Sequence, residues 1–146
     1  MIVVGGDTPL GRAIVQRLRQ RRGEVRVFVS SPDEAATLRG QGVKVALGDL
    51  SDTSHVGGAA KGAFCAVLVV EAADDGRELA FAGPLEIVGG WLQAVEQAGV
   101  TRVIVAGTLP GSPPAGIPEV ALLPGAGMTA ADLAEAVAAL DDVERL

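Results

Sequence analysis

Along this chain, apolar residues fall alternately into short unbroken runs and into helical spacing. Met1 to Val4 is apolar and stops at Gly5-Gly6, so residues 1–6 are predicted as a strand. Leu10, Ala13, Ile14 and Leu18 then recur at helical spacing opposite Arg12, Gln16, Arg17 and Arg19, with Gly23 as the expected helix end. Val25–Val29 is a second strand. Ser31-Pro32-Asp33-Glu34 supplies a cap, a proline at the first helical position and a glutamate three residues after the cap. That helix is expected to run to about Arg39 and to stop at Gly40, before a third strand at Val43–Leu47.

Gly48-Asp49-Leu50-Ser51-Asp52 reads as a turn into a third helix near 53–61, where Gly57 and Gly58 lower helix propensity. Cys65–Val70 is nearly all apolar, as a strand buried on both faces should be. Residues 71–83 are expected to be loop. A long helix starts near Pro84, keeps Leu85, Val88, Leu92 and Val95 on one face, and ends at Gly99. Its Trp91 fits a core edge or a subunit contact equally well. Arg102–Ala106 is a fifth strand, and the proline- and glycine-rich stretch 107–118 is a loop. Glu119–Leu123 reads as a sixth strand, and Thr129 caps a last helix that presents Leu133, Val137 and Leu140. Such alternation predicts one α/β domain over 1–146, a doubly wound, mainly parallel sheet of five to six strands with helices on both faces. Ligands of such sheets bind beyond the carboxyl ends of the strands, where strand order reverses.

Composition narrows the partners. The chain has 146 residues, 49% apolar and 21% charged, which fits an ordinary globular core. A net charge of −6 argues against a nucleic-acid or anionic-membrane surface. The arginines between Arg12 and Arg22 lie on the polar side of the first helix and are expected to be solvated. A single cysteine, Cys65, excludes an internal disulfide and is expected to be a buried, inert thiol. The lone His55 has no second histidine or nearby cysteine for a metal site. No stretch approaches the roughly twenty apolar residues of a membrane span. The chain starts directly in a strand without a signal-like segment, so a cytoplasmic location is expected.

The candidate chemistry lies at the first strand–helix junction. A glycine turn followed by a helix N-terminus offers free backbone N–H groups and a positive dipole end to an anion. The dinucleotide fingerprint occurs in one form as G-x-x-G-x-x-G. Gly5 and Gly11 hold its outer positions, and Thr8 stands at the middle one.

Beyond this turn, Val25-Arg-Val-Phe-Val-Ser-Ser-Pro-Asp-Glu34, Gly42-Val-Lys-Val-Ala-Leu-Gly-Asp-Leu-Ser-Asp52 and Ala94-Val-Glu-Gln-Ala-Gly-Val-Thr-Arg-Val-Ile-Val105 follow in register. Together they resemble the NAD(P)-binding Rossmann domain of the atypical short-chain dehydrogenases/reductases, especially the NmrA-like branch. The resemblance covers about residues 1–107. It implies an NAD or NADP site formed by Gly5, Asp7, Thr8, Pro9, Leu10 and Gly11, with the backbone N–H groups of residues 8–11 on the pyrophosphate. It places Ser30 and Ser31 at the ribose and Asp49 and Leu50 beside adenine. Family members often hold the NADP 2′-phosphate with an arginine after the second strand. Ser30 and Ser31 stand there instead, and no acid ends that strand, so cofactor choice stays open. Asp33 is at about the distance expected of a ribose acid but lies inside a capping sequence.

The wider family's Tyr-x-x-x-Lys catalytic pair has no counterpart. The chain contains no tyrosine, and no lysine follows Lys61. Thr108 stands near the family's serine position, and a hydroxyl alone is a poor acid without a neighbouring base or cation. Ile117–Gly125 and Met128–Leu140 resemble later parts of the family, so most of the substrate lobe is expected to be missing. Three readings follow. One is a non-catalytic dinucleotide-binding or redox-sensing module. A second is a small oxidoreductase without the tyrosine, using Thr108 or the loop acids Glu71, Asp74 and Asp75, which otherwise read as solvated. The third is a structural or partner protein that has lost nucleotide binding, because a β-branched Thr8 disfavours positive φ and crowds the pyrophosphate. A homodimer through the helix near Trp91 or through the last helix is compatible with all three.

Overall fold

A computed structural model of the chain describes residues 1–21, 23–73, 83–109 and 111–146. Strands β1 (Ile2–Val4), β2 (Arg26–Val29), β3 (Lys44–Leu47), β4 (Cys65–Val69), β5 (Arg102–Ala106) and β6 (Glu119–Leu123) form a six-stranded sheet in the order β3-β2-β1-β4-β5-β6. Every neighbouring pair is parallel. Among the described residues the helices are α1 (Pro9–Leu18), α2 (Pro32–Gly40), α3 (Thr53–Ala60), α4 (Pro84–Gln97) and α5 (Ala130–Asp142). This is the expected doubly wound Rossmann-like architecture, and strand order reverses between β1 and β4.

The period of two in the strands sorts their side chains between two cores. Ile2, Val4, Ala66, Leu68, Val103 and Val105 face α3 and α4 with Trp91 and Leu92. Val3, Val67, Val69, Ile104 and Ala106 face α1, α2 and α5 with Ile14, Leu38 and Val137. Trp91 is fully buried, and its indole N–H donates to the Leu50 carbonyl at 2.5 Å. That ties the middle of α4 to the turn after β3 and removes Trp91 from any subunit contact.

Three local expectations are corrected. α1 ends at Leu18 rather than at Gly23, with Arg19 as its C-cap. Ser31 caps α2 by accepting the Glu34 N–H at 3.3 Å, but the Glu34 carboxylate binds Arg12 Nη1 at 3.0 Å. Only half of the capping box forms there, whereas Thr129 and Asp132 form a complete one at α5. The arginine face of α1 is not simply solvated. Arg17 pairs with Glu135 at 2.6 Å and laces α1 to α5, while Arg21, in the turn after α1, pairs with Asp141 and Asp142.

Candidate functional site

The end of β1 enters α1 through a turn whose glycines are required by space. Gly5 has φ +84°, and a Cβ there would collide with Ala72. A Cβ on Gly6 would strike Val27, and one on Gly11 would strike the Gly5 carbonyl oxygen. These glycines let α1 pack tightly over the strand end, as in nucleotide-binding turns. The turn sits at the carboxyl end of β1, beside the reversal of strand order.

Thr8 is not strained in this turn. Its φ of −84° is extended, and it is the N-cap of α1. Its hydroxyl donates to the Gly5 carbonyl at 3.1 Å and accepts the Gly11 N–H at 3.0 Å. The positive φ that would exclude a β-branched residue falls on Gly5 instead.

The donors at the head of α1 are already engaged. Pro9 has no N–H, so the four-residue donor set expected from the sequence contains a gap. The Thr8 N–H donates to the Gly5 carbonyl at 3.4 Å. The Leu10 N–H donates to Glu71 Oε1 at 2.7 Å. Glu71 belongs to a 3₁₀ turn, Val70–Ala73, that continues β4. Topology therefore delivers its carboxylate from the neighbouring strand to the position where a helix N-terminus would receive a phosphate. Glu71 reads in the sequence as a solvated loop acid, and no local pattern there points to this contact. Asp74 and Asp75 lie outside the described residues.

A second carboxylate lies on the β2 side of the turn. Asp7, only 5% exposed, accepts the N–H groups of Ser30 and Ser31 on Oδ2, each at 3.1 Å, and lies 3.4 Å from the Ser30 hydroxyl. It thus links the glycine turn to the end of β2. Arg12 donates from Nη1 to the Asp7 carbonyl at 2.8 Å and forms the Glu34 ion pair already described. Asp33 is exposed in the first turn of α2 and serves the helix start.

The remaining candidates divide. Asp49 is exposed, with Oδ1 accepting the Ser51 N–H at 2.8 Å and the Ser51 hydroxyl at 2.6 Å. Leu50 is fully buried in the core, where its side chain packs with Trp91 and Val88. Thr108 is exposed just past β5, after Gly107 at φ +124°. The carboxyl ends of β1, β2 and β4 thus gather Gly5, Asp7, Thr8, Leu10, Gly11, Ser30, Ser31 and Glu71. Space requires the glycines, and the backbone donors are held by the chain's own oxygens.

Fold, strand order and glycine turn together define a dinucleotide-binding α/β domain. A family model described as NAD(P)H-binding matches residues 5–137, and the chain belongs to that family. Solved structures agree with the fold. Triphenylmethane reductase of Citrobacter sp., complexed with NADP(H), is 22% identical, covering 73% of this chain and 36% of its own, with a TM-score of 0.61. The NADPH-dependent quinone oxidoreductase of Escherichia coli, complexed with NADPH, is 20% identical, covering 98% of this chain and 46% of its own, with a TM-score of 0.59. A short-chain dehydrogenase/reductase superfamily protein of Agrobacterium tumefaciens with bound NAD is 25% identical, covering 73% of this chain and 32% of its own, with a TM-score of 0.53. The chain therefore spans less than half the length of each of these. A search of curated protein sequences finds no match.

Proposed function

We propose that this chain is a dinucleotide-binding module of the NmrA-like type that performs no hydride transfer of its own. The observation that carries the reading is the glycine turn, with Gly5 at φ +84° and Gly11 packed against the Gly5 carbonyl, beside the reversal of strand order. NAD or NADP would lie across the ends of β1 and β2, its pyrophosphate over Thr8, Leu10 and Gly11. Binding would have to draw Glu71 off the Leu10 N–H. When bound, a nicotinamide supplies hydride chemistry. A reductase also needs a proton donor beside it, and this sequence has no tyrosine and no lysine after Lys61. Thr108 with neighbours Gly107 and Leu109 offers a hydroxyl and no adjacent base or cation in sequence.

Calorimetric titration of the purified chain with NAD, NADH, NADP and NADPH tests this reading. Saturable binding without reduction of quinones or aldehydes is expected. Turnover with such substrates would instead establish the oxidoreductase reading.

A second reading draws on the engaged donors. With Leu10 held by Glu71 and Gly11 by Thr8, the turn is complete without a ligand, as a structural or partner protein derived from a nucleotide-binding fold would have it. Failure of all four dinucleotides to bind would select it.

A further inference from the structure

We infer that Asp7 makes this site selective for NAD over NADP. The inference rests on the nucleotide reading above and adds the identity of the adenosine ribose that the site accepts. In sheets of this topology the end of β2, about twenty residues past the glycine turn, meets the adenosine ribose. An acid there accepts the 2′-hydroxyl of NAD, whereas cations and free donors there receive the 2′-phosphate of NADP. In this chain Ser30 and Ser31 end β2, and no acid stands on the strand itself. The carboxylate arrives from the glycine turn instead.

Asp7 Oδ2 accepts both backbone N–H groups, Ser30 and Ser31, each at 3.1 Å. These two amides are the donors that a 2′-phosphate would use. They are spent on a carboxylate that is 5% exposed, where screening by solvent is weak. The charges around it have the same consequence. The first turn of α2 adds Asp33 and Glu34, and the nearby guanidinium of Arg12 is bound by the Glu34 carboxylate and the Asp7 carbonyl oxygen. A doubly charged phosphate entering here would face Asp7 and Glu34 with its potential donors engaged. A 2′-hydroxyl brings no charge, and it can donate to the Ser30 hydroxyl oxygen, whose own proton points to Asp7.

Calorimetry on the full chain at one ionic strength compares NAD with NADP, for the wild type and for Asp7→Asn. Asparagine can still accept both amides through its carbonyl oxygen, so it removes the charge and keeps the turn. The wild type is expected to bind NAD about tenfold or more tighter than NADP, and Asp7→Asn to shrink that ratio by about tenfold. The wild-type ratio stands on its own should the variant not fold. NADP binding as tight as NAD, or a ratio unchanged in a folded Asp7→Asn, overturns the inference and leaves the nucleotide reading intact. Binding of neither dinucleotide overturns both.

Discussion

The carboxylate of Glu71 accepts the N–H of Leu10 at 2.7 Å, across 61 residues of sequence. A negative charge at a helix N-terminus is stabilising, and here it comes from the chain rather than from a ligand. Glu71 thus acts as an internal counterpart of a phosphate. Replacing it with glutamine keeps the shape and removes the charge. Glu71→Gln is predicted to tighten dinucleotide binding by about three- to tenfold, because the competing anion is gone. The same change lowers stability by about 0.3–1 kcal/mol through the lost charge–dipole interaction. Calorimetry and thermal unfolding should therefore move in opposite directions. Looser binding in Glu71→Gln would show that Glu71 assists the ligand rather than competing with it.

Thr8 separates the cap from the backbone requirement. Thr8→Val keeps the branched shape but loses both hydroxyl bonds, to the Gly5 carbonyl and from the Gly11 N–H. It should cost about 1–2 kcal/mol in urea unfolding. Thr8→Gly should cost only a few tenths of a kcal/mol as a cap, and it frees the Gly11 N–H. Its dinucleotide affinity is predicted to rise. Equal stability for the valine and glycine variants would contradict the capping role.

The far end of the sheet depends on a buried ion pair. Arg102 is 1% exposed, donates from Nε to Glu119 Oε2 at 2.7 Å and from Nη1 to the carbonyls of Leu140, Asp141 and Val143, and lies 5.4 Å over the Phe64 ring. One side chain therefore joins β5 to β6 and holds the last carbonyls of α5. Arg102→Met is predicted to destabilise by about 3–5 kcal/mol, because Glu119 is left without its partner in a mostly buried place. Adding Glu119→Leu should recover part of that loss. Additive costs of the two changes in urea unfolding would show that the pair is not coupled.

Cys65 gives a prediction in pH. It is 1% exposed, and burial first, then the charge and hydrogen bond of Asp141, push its thiol from an ordinary 9.0 up to about 12. The fold therefore favours the neutral thiol. That contribution is fully present below the unfolded value of 9.0 and is lost as pH rises from there towards about 12. A thiol-specific reagent should label native protein slowly near neutral pH and unfolded protein quickly. Equal labelling rates would contradict the burial of Cys65.

Local patterns carried most of the fold into the sequence. Pro32 after Ser31, Gly99 after α4 and Thr129 before α5 each mark a boundary by a short-range requirement of cap or φ, and each holds. The strand runs Cys65–Val69 and Val103–Ala106 are apolar on both faces because helices cover both. What escaped the sequence reading depends on strand order. Glu71 meets Leu10 only because β4 lies beside β1, and Asp7 meets Ser30 and Ser31 only because β2 lies on the other side. No periodicity encodes these contacts. Asp7 was legible as part of the turn, but its service to the end of β2 was not. Leu50 reads as a turn residue by its neighbours, yet tertiary packing draws it into the core beneath Trp91. The Glu34 half of a capping box is missing because Asp7 holds the Ser31 N–H that Glu34 would accept, and Glu34 pairs with Arg12 instead.

Whether the glycine turn seats a dinucleotide is read from amide NMR spectra of the chain with increasing NAD. Saturable shifts are predicted at Gly5, Gly6, Thr8, Leu10 and Gly11, together with Ser30 and Ser31. The Leu10 amide should move most, as it exchanges the Glu71 carboxylate for the ligand. Spectra in which these amides stay fixed up to millimolar NAD and millimolar NADP would show that the turn seats no dinucleotide.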